Sequence, residues 1–261
     1  MRNHAVEIAF ALMMSLGCAG AAQAQTAPQD KKAKPADEKS TPDFYGIWML
    51  NQPPATADQF WVYELRKEEP PMTPWGEEQY KAARSSFGPH AVSIADTNDL
   101  VYQKCMPPGL PRIFTHPFPV QIIHAPGEVL MLFEYDSVRR QIFTDGRGHD
   151  TSLGPSWLGD SIGHWEKDTL VVDTVNFRDV GWLDRLGHPH SDALHVIERI
   201  SRPDHDHLVD EITIDDPKAY TKPWAARLEF LLRPNWTLEE QFCEDEESFQ
   251  KIEQRETVPK K

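Results

Sequence analysis

The chain has 261 residues and a formal net charge of −14, with 10% aromatic and 26% charged residues. That acidity argues against a nucleic-acid partner or binding to anionic lipid, and favours a neutral or cationic ligand. No apolar run after the first residues reaches the length of a membrane-spanning helix.

Residues 1–24 carry Arg2, an apolar stretch from Ile8 to Leu16, and the small-x-small site Ala22-Gln23-Ala24. They read as a secretory signal peptide, which predicts a periplasmic or secreted protein. Cys18 after Leu16-Gly17 leaves lipidation as an alternative end-point. Residues 25–41 lack aromatic and large aliphatic side chains and read as a disordered leader. Residues 42–250 suit one domain and 251–261 a flexible tail. Cleavage would leave two cysteines, Cys105 and Cys243. In an exported protein these predict a disulfide rather than two buried thiols.

A first strand is expected over 44–51. One helix should start at Thr73-Pro74, with Pro at its first position and Glu77 and Glu78 early, and run to about Ser86. Residues 88–119 hold six prolines and read as an ordered loop covering one end of the fold. Strand patterns then follow at 120–125, 128–135, 139–144, 161–166, 169–176, 194–202, 207–215, 226–233 and 237–242. Short turns such as Pro126-Gly127 and Lys167-Asp168 separate several of them. The expected fold is therefore mainly β, a single antiparallel barrel of about ten strands, with one short helix and a Pro-rich covering loop. Closure removes the exposed edges of such a meander.

The motif GHPHSDALHVIER, residues 187–199, brings His188, His190 and His195 together with Asp192 and Glu198. These residue types suit a zinc-like ion, acid–base chemistry, or a polar turn held by Ser191 and Asp192. A spacing that crosses from loop to strand guarantees no shared face, so a metal-free acid–base role is preferred over the metal. The strand at 194–202 has mixed faces. Leu194, Val196, Glu198, Ile200 and Arg202 alternate with His195, Ile197, Arg199 and Ser201. Such mixing fits a barrel whose lumen carries polar groups.

Other candidates surround expected barrel rims. Arg147 and His149 follow the Asp145-Gly146 turn, and Arg147 has the chemistry to hold a carboxylate or phenolate. Asp160 and Asp184 are rim acids. Residues 215–224 hold two prolines and present Tyr220, Lys222 and Trp224 alternately. Trp157, Trp165 and Trp182 lie beside the polar motifs and would make flat walls for an aromatic ligand. The chain holds no P-loop and no dinucleotide-binding glycine motif.

Gly46-x-Trp48 on the first strand is similar to the G-x-W of lipocalins and related calycins. That resemblance implies a barrel whose base the Trp closes. The strings DGR (145–147), PSWLGDSIGHWEKDTLVVDT (155–174), WLDRLGHPHSDALHVIER (182–199) and TIDDPKAYTKPW (213–224) resemble a family of exported bacterial proteins of uncharacterised activity. Typical members carry Gly where this chain has Lys167. The resemblance covers most of 44–245 and implies a shared fold and export, not a reaction.

Together these readings predict an enzyme without cofactor, of lyase, isomerase or hydrolase type, acting on a small apolar or aromatic compound. A lyase for lignin-derived aromatic dimers is one version. His188, His190 or His195 would move the proton, with Asp184 or Asp192 orienting the imidazole. Arg147 or Lys222 would hold negative charge. His149, Tyr220, Trp157, Trp182 and Trp224 would line the substrate site. The alternatives are a lipocalin-like carrier of a hydrophobic ligand and a zinc site on the three histidines.

Overall fold

The structure is a computed structural model, and it describes residues 42–51 and 64–243. The expected leader segments, residues 1–24 and 25–41, and the tail 251–261 lie outside the described residues. Nine strands close into one barrel in chain order. They are β1 (Gly46–Leu50), β2 (Val120–Ala125), β3 (Glu128–Phe133), β4 (Arg139–Phe143), β5 (Asp160–Glu166), β6 (Thr169–Val175), β7 (His195–Ser201), β8 (His207–Asp215) and β9 (Trp224–Leu232). Helix α1 (Pro74–Ala82) and the short helix α2 (Leu100–Lys104) precede β2. Among the described residues no helix is long and apolar enough to cross a membrane.

The barrel matches the expected class, with two differences. Eight of the nine pairings are antiparallel, but β4 and β5 run parallel and share only two register pairs, Ile142↔Ser161 and Phe143↔Ile162. The connection 144–159 brings the chain back beside the end of β4, so that β5 starts in the same direction. The tenth strand, expected at 237–242, is absent because β9 already pairs with β1 and leaves no edge. That segment instead runs across the turn after β3. There Glu134 accepts from Glu239 N–H at 2.9 Å and Asp136 Oδ1 accepts from Cys243 N–H at 3.1 Å. Cys243 is bonded to Cys105, with an S–S distance of 2.13 Å.

Inward rows fill the lumen. Ile122, Met131, Ile142, Leu170, Val172, Val196, Ile200, Ile212, Ala226 and Leu228 belong to one buried cluster. Trp48 is fully buried near the base. Its indole donates to the Phe44 carbonyl at 2.9 Å and Arg202 lies over its ring at 5.0 Å. Gly46 has φ +146°, a conformation that side-chain-bearing residues rarely adopt, and a Cβ there would press on the Leu232 side chain, so glycine suits the start of this strand.

The opposite end is capped. The C-termini of β6 and β8 and the N-termini of β7 and β9 meet there. Residues 64–119, 176–194 and 216–223 cover that end. Thr73 caps α1 by accepting from Gly76 N–H, and its own N–H donates to the Ala219 carbonyl at 2.9 Å. The helix ends at Ala82, four residues before the expected stop. The loop beyond it turns back instead, where Ser85 Oγ donates to the Arg185 carbonyl at 2.6 Å. The sequence reading missed α2. Asp99 caps it and also holds the buried Arg112 at 2.9 and 2.5 Å.

Candidate active site at the capped end

Pro189 separates two histidines with opposite surroundings. His188 is buried. Its Nδ1 faces Asp184 Oδ2 at 2.5 Å and its Nε2 faces Glu69 Oε2 at 3.1 Å. Its ring stacks on Tyr80 of α1, 4.5 Å between centroids and 7° from parallel. Burial alone would strip its charge. The Asp184 and Glu69 carboxylates outweigh that and push it up to about 10. His188 is therefore an imidazolium at neutral pH. Asp184 also accepts the backbone N–H groups of Leu186, Gly187 and His188, which fixes the loop around it. Beside this array burial, with help from the Asp184 charge, pushes the Glu64 carboxyl up to about 7.

His190 is the contrasting ring. Its Nδ1 contacts the Ser191 carbonyl at 3.2 Å. Burial pushes its pKa down, while the Ser191 and Val180 carbonyls pull the other way. It is neutral at neutral pH and keeps carbonyl acceptors ready for its charged form. His190 lines a pocket of about 310 Å³ whose walls include Trp75, Gln79, Asp99, Trp182 and Pro189. Arg112 lies 5.4 Å over the Trp182 ring and braces that wall.

The motifs PHSD and DDPKAY are two halves of one clamp. Asp216, buried, accepts from Ser191 N–H at 2.6 Å and Ser191 Oγ at 2.8 Å. It also accepts from the N–H groups of Lys218 and Ala219. Tyr220 donates its hydroxyl to the Pro189 carbonyl at 2.8 Å. Its ring packs edge-on against Trp224, whose buried Nε1 has no hydrogen-bond partner among the described residues. Residues on either side of His190 are thus held by a second loop.

The remaining expected residues are elsewhere. His195 starts β7 on the outward row, because Val196, Glu198 and Ile200 point in. There it meets Asp173 at 2.8 Å, which also contacts His149 at 3.2 Å, while Asp160 holds the other His149 nitrogen at 2.7 Å. The three motif histidines therefore do not converge. Among the described residues no group of three or more His, Cys, Asp or Glu side chains is placed to hold a metal ion. Asp192 is exposed and among the described residues contacts no imidazole; Asp184 contacts His188 instead. Arg147 is exposed, bound to Asp145 and 3.8 Å over Phe143, remote from the cap. Lys222 is exposed on its turn. Trp157 lines a different pocket.

Sequence reasoning missed Glu64, Glu69, Trp75 and the lumen's charged cluster. Glu198 points inward and accepts from Arg140 through both carboxylate oxygens, one at 2.8 Å. Arg140 also donates to Ser161 at 3.2 Å and Thr174 at 3.0 Å. Burial and the neighbouring Glu198 push the Asp210 carboxyl well above its ordinary value. The mixed alternation on β7 was the one sequence signal for this cluster.

Residues 159–163 spell G-x-S-x-G. Ser161 is nevertheless no nucleophile elbow. It sits within a strand, buried, and its Oγ contacts Arg140 and Thr174 rather than an imidazole.

The fold and the cap define a small closed β-barrel with an acid–base constellation over one end. Comparison with family models and with curated proteins found no match to the chain.

Proposed function

We propose that the protein is an exported acid–base enzyme of lyase or isomerase type, acting on a small compound with a flat apolar part. Membership of the family of exported proteins carrying the same strings is part of this reading. The observation that carries it is His190, a neutral imidazole in the wall of a pocket flanked by Trp75 and Trp182.

With Nδ1–H donated to the Ser191 carbonyl, Nε2 keeps its lone pair and takes a proton from the substrate. The adjacent carbonyls then stabilise the imidazolium. The Gln79 amide at the pocket's rim donates to developing negative charge. Asp216 and Tyr220 hold the loop so that the ring need not be ordered during the reaction. Trp182, braced by Arg112, supplies a rigid face for an unsaturated or aromatic substrate. The disulfide supports an oxidising compartment. A carrier function has weaker support, since side chains of the core occupy the barrel's lumen.

Native mass spectrometry of the purified protein should reveal a copurified small molecule, which then serves as the assay compound. His190→Gln should retain binding within a few-fold and lose turnover by about 100-fold or more, the usual range for a general base. Equal binding with no turnover by either protein would establish a carrier instead.

A further inference from the structure

The parallel junction in the barrel wall forms a second pocket. Only the last two residues of β4 pair with β5, so Arg139, Arg140 and Gln141 have no partner on that side. A slot of about 370 Å³ opens there, and the segment 156–159 forms its other wall. Trp157, Leu158 and Phe143 supply its apolar surface, and Arg140 and Ser161 lie at its inner side.

Charge in the slot is unevenly committed. Every N–H of Arg140 is engaged, by Ser161, Thr174, Met131 and both oxygens of Glu198. Gln141 is bound to Glu128, and Asp160 is held by His149 and the Asp150 N–H. Arg139 is different. It is exposed at the slot, and among the described residues its guanidinium makes no hydrogen bond or ion pair. A free planar fork beside Trp157 and Leu158 suits a planar anion attached to a ring.

We propose that the slot between β4 and β5 is a binding site for a small aromatic carboxylate, with Arg139 holding the carboxylate and Trp157 and Leu158 contacting the ring. The site is separate from the His190 pocket and does not depend on its chemistry. It occupies a place where an ordinary antiparallel barrel would have a closed wall. The filled core behind it sets its depth, because the Arg140–Glu198 pair cannot move outward without leaving a buried charge alone.

Isothermal titration with benzoate and with the neutral isostere benzamide tests this on the whole protein. Benzoate should bind one to one, and benzamide about tenfold more weakly or worse, the loss expected for a charge-assisted contact. Arg139→Gln, a surface change that leaves the core untouched, should weaken benzoate to the benzamide level. His190→Gln should leave benzoate binding unchanged, which separates this site from the proposed active site. Absence of binding at millimolar benzoate, equal affinity for the two probes, or indifference to Arg139→Gln would each overturn the proposal. Loss of binding in His190→Gln would do so as well, by placing the ligand at the cap.

Discussion

His188 and His190 stand two positions apart in the chain and hold opposite charge states, because each nitrogen meets different neighbours. His188 faces carboxylates on both sides, whereas His190 faces carbonyls in a buried setting. For His188 the folded value, about 10, lies above the ordinary 6.5. Its contribution to stability is therefore full below about pH 6.5 and is lost as pH rises towards 10. Thermal melts across that range should show the wild type losing stability, by an amount on the order of a few kcal/mol. His188→Gln should be less stable at pH 6 and show a flatter profile above it. A slope as steep in the variant as in the wild type would mean the imidazolium is not what titrates. Glu64 adds in the same direction at lower pH: its folded value of about 7 exceeds 4.5, so stability falls as pH rises between the two.

At the scale of elements, α1 shows contact overriding propensity. Gly76 lies inside the helix, where alanine would ordinarily gain about 1 kcal/mol. Here a Cβ would enter the van der Waals shell of the Ala219 carbonyl oxygen. Gly76 lets the helix approach the 216–223 loop backbone to backbone, and that contact seats Trp75 and Tyr80. Gly76→Ala should therefore destabilise, by about 2 kcal/mol or more in denaturant melts, as overpacked sites do. Stabilisation would show that the cap is loosely held. Lys167 is a milder conflict of the same kind. It adopts φ +56° in the β5–β6 turn, where glycine carries no steric cost. The hairpin forms regardless because seven register pairs support it.

Across the whole molecule, the Arg140–Glu198 pair joins β4 to β7 through the lumen with both side chains essentially fully buried. Removing one partner leaves an isolated buried charge, so Glu198→Leu should cost about 3–5 kcal/mol. In urea titrations the double variant Arg140→Met with Glu198→Leu should recover most of that loss. Failure to recover would show that Ser161, Thr174 and Asp210 depend on the ion pair for their own satisfaction. The disulfide acts at the same scale. It closes a loop of 138 residues, which the chain-entropy account values at about 5 kcal/mol as an upper figure.

Alternation and turn residues are local properties, so the strands at 120–133, 161–176 and 194–215 were legible from the sequence, as was closure into a barrel. Cys105 and Cys243 were legible because the two cysteines that the expected cleavage would leave have one pairing to make. The residue types of the cap were legible as well, but their grouping was not. His195 was separated from His188 and His190 by the inward placement of its strand neighbours. Glu69 reaches His188 from 119 residues away, and Arg140 reaches Glu198 from 58. The slot at β4 and β5 exists because the 144–159 connection makes a parallel pair of only two register positions. The sequence by itself determined which segments become strands and which polar residue types stand together in the motifs, since both follow from short-range pattern. Only the tertiary structure decided which of those side chains meet, because contacts across a closed barrel depend on register and strand direction summed over the whole circuit.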